Sequence, residues 1–170
     1  MPQINYPLQK EKIKISAEEC FKLGEQKGYF ILDKGKIKYT AVGKSYNFSD
    51  PEEKTRMMFY FDLIEKYKYP VNRIEFEVGI FDDKAINKYA DIVVFTNDEQ
   101  RKPYIVVKCE KDGIADLEFE EAVKRVIANA WNLGALFAAC VAGDKYRVVE
   151  IDDKNNKTEI DDLPICYGEK

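Results

Sequence analysis

The hexapeptide VVKCEK at residues 106–111 holds the residues whose types and spacing are best suited to chemistry. It closes an apolar run, PYIVVKCEK, whose composition predicts a buried β-strand. Side chains alternate between the faces of a strand, so Lys108 and Glu110 point to one side, roughly 6–7 Å apart, and Cys109 points to the other. The pattern therefore places a base and an acid side by side at a strand end.

Two further carboxylates lie in the strands that precede this one. Asp91 opens the apolar segment YADIVVFT, and Glu77 lies on the polar face of the alternating segment RIEFEVGI. If the three strands pair as a meander, both carboxylates meet Lys108 and Glu110 at one edge of the sheet. Carboxylate oxygens are the ligands that Mg²⁺ prefers, and a metal so held, or Mn²⁺ in its place, activates water beside a phosphodiester.

Simpler interpretations of the same charges remain open. Asp91 is also consistent with a solvated strand start, and Lys108 and Glu110 are consistent with a plain ion pair. Glu77 on its own is more typical of a residue that faces solvent than of a metal ligand.

The composition excludes several kinds of site. The chain has no histidine, which removes Ser-His and Cys-His nucleophiles and histidine metal ligands. Its four cysteines form no CxxC pair, so a zinc ribbon is excluded by spacing. A net charge of −4 argues against a uniformly basic DNA-binding surface but leaves room for a local basic patch. Acid–base or metal chemistry must therefore use carboxylates, lysines, tyrosines or bound water.

The sequence predicts a protein of the cytoplasm that does not enter a membrane. The first residues lack the apolar stretch of a secretion signal, and no segment approaches 18 uninterrupted apolar residues.

Three regions are expected along the chain. Residues 1–48 form a lead-in, with a short helix capped by Ser16 and a hairpin over YFILDKGKIKYT, packed on the core. Residues 49–151 form that core, and residues 152–170 form an acidic, irregular tail or a linker to a larger protein.

The core is predicted to be an α/β fold with a mixed sheet flanked by helices. A helix over DPEEKTRMMFYFDLIEKYK precedes the three strands, and the first of these should place Ile74, Phe76, Val78 and Ile80 on one face. A second helix, with Trp131 on its inner face, then leads to ALFAACVAG, a buried strand parallel to the third, and to a fifth strand over YRVVEID.

The motifs DPEEKTR, YPVNRIEFEV, ADIVVF, PYIVVKCEK and ALFAACVAGD, in this order, resemble the N-terminal domain of type I restriction enzyme R proteins. Similar domains stand at the front of N6-adenine DNA methylase proteins, and the family belongs to the PD-(D/E)xK nuclease superfamily. The resemblance covers residues 50–151. It implies a restriction-endonuclease-like αβββαβ core that hydrolyses double-stranded DNA with Mg²⁺, alongside methylase, specificity and helicase subunits or domains of a restriction-modification system.

The resemblance also carries the family's site residues onto this chain. They comprise the aspartate of the second strand, the two positions of the E-x-K pair, the metal-binding backbone carbonyl between them, and glutamates of the first helix and first strand: Asp91, Lys108 and Glu110, Cys109, Glu53 and Glu77. Asp91, Glu110 and the Cys109 carbonyl are the expected metal ligands.

This chain departs from the family at two points. The family has Glu-Cys-Lys where this chain has Lys108-Cys109-Glu110, so the acid and the base are exchanged. Lys111 belongs to the opposite face and is a poor substitute for the family's lysine. The glutamine that the family carries in the following helix is absent, and Arg125 lies in its neighbourhood. Lys111 and Arg125 are the residues expected to contact DNA.

Three interpretations follow. The exchange is tolerated and the domain cleaves DNA, or metal affinity is lost and the domain binds DNA or assembles a restriction-modification complex. The third is a protein-interaction domain with an accidental charge cluster.

Overall fold

The computed structural model of the protein describes residues 15–80 and 88–166. In chain order the elements are α1 (Ala17–Gln26), β1 (Phe30–Asp33), β2 (Lys36–Tyr39), β3 (Lys44–Asn47), α2 (Pro51–Glu65), a 3₁₀ turn (Val71–Arg73), β4 (Ile74–Ile80), β5 (Lys88–Phe95), β6 (Pro103–Cys109), α3 (Asp116–Leu133), β7 (Phe137–Ala142), β8 (Lys145–Ile151) and β9 (Lys157–Ile160).

The strands form two sheets. The first is a small antiparallel sheet of β1, β2 and β3. The second has six strands in the order β4-β5-β6-β7-β8-β9, in which β6 and β7 are parallel and all other neighbours are antiparallel. The parallel pair is possible because α3 carries the chain back across the sheet. The predicted α/β class, mixed sheet and αβββαβ order, here α2-β4-β5-β6-α3-β7, are confirmed.

Helix α2 lies between the two sheets. Asp50 caps it by accepting a hydrogen bond from the Glu52 amide, and Pro51 occupies its first turn, and both residue types are favoured at these positions. Its apolar residues are buried on most sides, because one side packs on the six-stranded sheet and the other on α1 and the small sheet. We call this region the α2-side core; it includes Tyr39, Met57, Tyr60, Phe76, Ile92, Val107 and Cys109.

Helix α3 covers the other face of the six-stranded sheet. Its inner stripe belongs to a second apolar region, the α3-side core, which includes Ala90, Val93, Val106, Phe119, Val123, Val126 and Cys140. The helix ends at Gly134, whose φ of 72° is the left-handed conformation that glycine adopts easily. Trp131 was expected to face inward but is 43% exposed, because it lies about 100° around the helix from the buried Ala130.

Strand β4 does not alternate as the sequence predicts. Phe76 lies in the α2-side core, whereas Val78 packs against the α3-side core with the buried Ile80. The reversal occurs at Glu77, whose φ of 53° breaks the extended backbone.

The lead-in and the tail contain more structure than expected. The predicted hairpin is joined by a third strand, β3, and β9 pairs with β8 inside the segment expected to be irregular. Beyond β9, Asp162 accepts hydrogen bonds from the hydroxyls of Tyr67 and Tyr146 and pairs with Lys66. Residues 1–14 of the lead-in and 167–170 of the tail lie outside the described residues, and the division into three regions stays a prediction.

Among the helices that the structure describes, none has the length and apolar character that a membrane span requires.

Candidate functional site

The end of β6 brings Asp91, Lys108 and Glu110 together, and we call these residues the acid–lysine cluster. Asp91 lies in β5 next to β6, where its carboxylate Oδ2 accepts a hydrogen bond of 2.7 Å from the amide of Cys109. The amide of Glu110 donates to the carbonyl of Val141 at 2.9 Å, which extends the pairing of β6 with β7. Two neighbouring strands thus fix the backbone on either side of the cluster.

Lys108 lies between the two carboxylates. Its Nζ is 3.3 Å from Asp91 Oδ2 and 3.7 Å from Glu110 Oε1. Because both distances start from one nitrogen, the two oxygens are no farther apart than the sum of these values. Both carboxylates therefore approach a single point, which the Lys108 ammonium occupies.

The cluster holds Lys108 in its charged form. Burial lowers the pKa of Lys108, but the charges of Asp91 and Glu110 raise it by more than burial lowers it. The net pKa is therefore above its ordinary value. The side chains of Lys108, Asp91 and Glu110 are 24%, 23% and 12% exposed. The ammonium is thus shielded from bulk water but still within reach of a ligand.

Two more charged residues border the cluster. Nη2 of Arg125, in α3, lies 3.9 Å from Glu110 Oε1, although the arginine side chain is 63% exposed. Glu52, in the first turn of α2, has a raised pKa because of partial burial and the negative charge of Glu110. The site is therefore bounded by α3 on one side and by the start of α2 on the other.

Glu53 and Glu77 do not join the acid–lysine cluster but meet at Arg56. Glu53 is 3% exposed and receives hydrogen bonds from Arg56 Nη2 at 2.6 Å and from the Tyr39 hydroxyl at 2.7 Å. Arg56 Nη2 also lies 3.8 Å from Glu77 Oε1, and the Glu77 side chain is 47% exposed. These residues form a second group, the arginine cluster, on the α2 side of the sheet.

The guanidinium of Arg56 is enclosed by rings as well as by carboxylates. It lies 4.1 Å from the ring centroid of Tyr46 and 5.1 Å from that of Phe76. Burial lowers the pKa of Arg56, and the hydrogen bonds and charge of Glu53 more than offset this, so the group stays charged.

The remaining predicted residues have different surroundings. Cys109 is buried, and burial, followed by the charge of Asp91, raises the pKa of its thiol well above the ordinary value, so the thiol is not a nucleophile or thiolate ligand. Lys111 is exposed beyond the strand end. Within residues 15–80 and 88–166, no three acidic, cysteine or histidine side chains are grouped closely enough to hold a metal by themselves.

Sequence reasoning missed Arg56, Tyr39 and Glu52. Arg56 follows Glu53 by three residues in a well-capped helix, and this spacing signals a same-face pair. Glu52 has the residue type that favours the first turn of a helix, and this gives no sign of its proximity to Glu110. Nothing in the sequence predicts the contact of Tyr39, in the small sheet, with Glu53 of α2.

Residues 51–164 match the sequence profile of a family described as Type I restriction enzyme R protein N terminus (HSDR_N). The chain belongs to this family. The resemblance seen in the sequence is confirmed, and the match runs past residue 151 to include β9. It supports a role in restriction-modification. No curated protein matches the chain significantly.

Proposed function

We propose that this domain is a Mg²⁺-dependent endonuclease domain of a restriction-modification protein, which hydrolyses phosphodiester bonds in double-stranded DNA. The observation that carries the proposal is that the carboxylates of Asp91 and Glu110 converge on one positive charge, the Lys108 ammonium. The exchange of acid and base in the sequence moves both groups along β6. The Lys108 ammonium nevertheless lies 3.3 Å from the Asp91 carboxylate and 3.7 Å from the Glu110 carboxylate.

The donor set fits a hard divalent cation once Lys108 turns away. Mg²⁺ commonly takes one or two carboxylates and completes its shell with waters and substrate phosphate. Asp91, Glu110 and the backbone carbonyl of Cys109 would hold it here. The bound ion would supply an activated water and stabilise negative charge on the phosphate.

The chain's own residues have separable tasks in this proposal. The Cys109 amide fixes the orientation of Asp91, and the contact of the Glu110 amide with Val141 fixes the strand that carries Glu110. Lys108, on its flexible four-carbon stem, turns from the carboxylates to the scissile phosphate and neutralises its charge. Arg125, which is mostly exposed, contacts a neighbouring phosphate.

A second candidate is a DNA-binding or assembly module without cleavage activity. It is favoured by the position of the Lys108 ammonium, which lies where a divalent cation would have to sit between Asp91 and Glu110. A lysine that keeps this place neutralises the carboxylates and excludes the metal. The two candidates therefore differ in one event, the release of Lys108 from the cluster.

The partners that follow from both candidates are double-stranded DNA and the methylase, specificity or helicase components of a restriction-modification system. Because the chain has a net charge of −4, DNA contact should be confined to a small patch that includes Lys111 and Arg125. Contacts from Lys111 and Arg125 alone give a shallow dependence of affinity on salt, with a slope of about −2 on logarithmic axes, and a third contact from Lys108 would make the slope about −3.

Cleavage of linear duplex DNA in millimolar Mg²⁺ or Mn²⁺ tests the proposal. The parent protein should cut the DNA, while Asp91→Asn and Glu110→Gln should each lower the rate at least about 100-fold. Glu121→Gln, on the exposed face of α3, is a matched control that should cut like the parent. A parent protein that binds duplex DNA at low salt but never cuts it would favour the second candidate.

A further inference from the structure

The bend in β4 at Glu77 lies directly opposite Asp91. The ladder between β4 and β5 passes from the pair Phe76–Ile92 to the pair Val78–Ala90 without a pair between Glu77 and Asp91, both of which the structure describes. Glu77 is the residue with the left-handed φ of 53°. A residue other than glycine rarely adopts this conformation in a strand, so the surroundings must impose it.

In β5, the face of the sheet to which alternate side chains point also changes at this place. Ile92 lies in the α2-side core, whereas Ala90, two residues earlier, lies in the α3-side core. Residues two apart in a regular strand face the same side, so the reversal is centred on Asp91. Its carboxylate therefore turns along the sheet towards β6 instead of into either core.

The direction of Asp91 has a measurable consequence in β6. The pairing of β5 with β6 ends at Ile92–Val107, and beyond this pair the Asp91 carboxylate, not a backbone carbonyl, accepts the Cys109 amide. The bend thus supplies the geometry in which Asp91 meets both Cys109 and Lys108.

Two cations hold the bend from the α2 side. Lys44 Nζ donates to the carbonyl of Phe76 at 2.6 Å, which fixes the peptide that leads into Glu77. Arg56 contacts the Glu77 carboxylate and stacks against the Phe76 ring. Lys44 belongs to β3 and Arg56 to α2, so elements outside the main sheet support the bend.

The environment of Arg56 is not arranged for stability alone. Among the described residues, its Nη1 is buried and meets no hydrogen-bond acceptor. A buried donor without a partner destabilises a fold, and each such group requires an explanation. Support of the strained strand beside the site is a role that would account for this unfavourable arrangement.

We propose that Arg56 and Lys44 are positioning residues, which hold the left-handed bend at Glu77 and thereby aim the Asp91 carboxylate at the acid–lysine cluster. Neither residue touches DNA or metal in this role. The small N-terminal sheet then has a part in the site, because β3 supplies Lys44. The consequence for catalysis rests on the proposed function, but the geometry can be tested without metal or DNA.

Amide exchange at Cys109 reports the position of Asp91. We compare Glu77→Gly, which adopts a positive φ without strain, with Glu77→Val, whose β-branched side chain opposes it. Both variants remove the same carboxylate, and they differ chiefly in their backbone preference. Exchange of the Cys109 amide, measured by NMR relative to Val107 in the same strand, should stay within about twofold of the parent in Glu77→Gly and rise at least about tenfold in Glu77→Val.

Lys44→Met extends the test to the support of the bend, and Arg56→Met does so if that variant folds. Each should accelerate exchange at Cys109, with Val107 unchanged, and combination with Glu77→Gly should restore most of the protection. A normal Cys109 amide in Glu77→Val and in Lys44→Met would overturn the inference. Loss of protection at Val107 to the same extent would also overturn it, because the role would then be purely structural. Failure of the proposed function would appear separately, as absent metal binding with this exchange pattern intact.

Discussion

Replacement of Lys108 by methionine should strengthen divalent-metal binding although it removes a residue of the site. The ammonium lies 3.3 Å from Asp91 and 3.7 Å from Glu110, whereas Mg²⁺ needs carboxylate oxygens at about 2.0–2.1 Å. The metal and the ammonium cannot hold this position together. Methionine keeps much of the length of the side chain and removes the cation that lies between the two carboxylates.

The size of the effect follows from the contacts that the metal must break. Hydrogen bonds to charged groups contribute about 1.5–3 kcal/mol to stability. We take the lower end, because the side chains of Asp91 and Lys108 are about one quarter exposed and water screens them. Since 1.4 kcal/mol is about a factor of ten in affinity, Lys108→Met should bind Mn²⁺ about tenfold more tightly than the parent.

Free Mn²⁺ measured by electron paramagnetic resonance gives the affinity without any need for cleavage. Lys124→Met, an exposed lysine of α3 that pairs with Glu121, is the matched control and should bind like the parent. Asp91→Ala should lose binding, and Lys108→Met should gain binding while losing any DNA cleavage. Equal Mn²⁺ affinity in the parent and in Lys108→Met would refute the competition between lysine and metal.

Three further predictions concern the exchanged pair, the arginine cluster and acid stability. The double variant Lys108→Glu/Glu110→Lys restores the family's order and should raise the cleavage rate of linear duplex DNA; a variant no faster than the parent shows that the exchange is not limiting. Glu53→Gln removes the buried negative charge that pairs with Arg56 and should lower the free energy of unfolding by about 3 kcal/mol in urea titrations. Asp162 has a lowered pKa because hydrogen bonds from tyrosines and a lysine outweigh burial, so its stabilisation is present above pH about 4 and is lost as the pH falls through the lowered value.

Controls separate these effects from general damage. Glu121→Gln, which removes an exposed carboxylate of α3, should change stability by less than about 0.5 kcal/mol. For the acid effect, the difference in melting temperature between the parent and Asp162→Asn should shrink from pH 7 to pH 3. A difference that stays constant with pH would show that ionisation of Asp162 does not matter.

Regular patterns made the main elements predictable. Asp50 and Pro51 mark the start of α2, and a continuous apolar run marks β6 as a buried strand. The face shared by Lys108 and Glu110 followed from strand alternation, and both side chains lie where that rule puts them, beside Asp91.

The bend at Glu77 was not predictable from local sequence. Glutamate has no preference for a positive φ, and the segment RIEFEVGI alternates like a regular strand. The conformation depends on Lys44 and Arg56, which come from elements far away in the chain. For the same reason the sequence placed Glu77 with Asp91, whereas its carboxylate lies towards Arg56.

Burial was predicted less well than secondary structure. Helix α2 is enclosed by two sheets, and only tertiary packing decides this. Strands β3 and β9 are short and polar, so their composition resembled that of loops, and they form because β2 and β8 offer free edges.

The most direct measurement is the anomalous scattering of Mn²⁺ in crystals soaked at millimolar concentration. The account predicts one peak bound by the carboxylates of Asp91 and Glu110, with the Lys108 ammonium turned out of the space between them. Crystals that contain Mn²⁺ in the mother liquor, show no peak there and keep Lys108 between the two acids would contradict it.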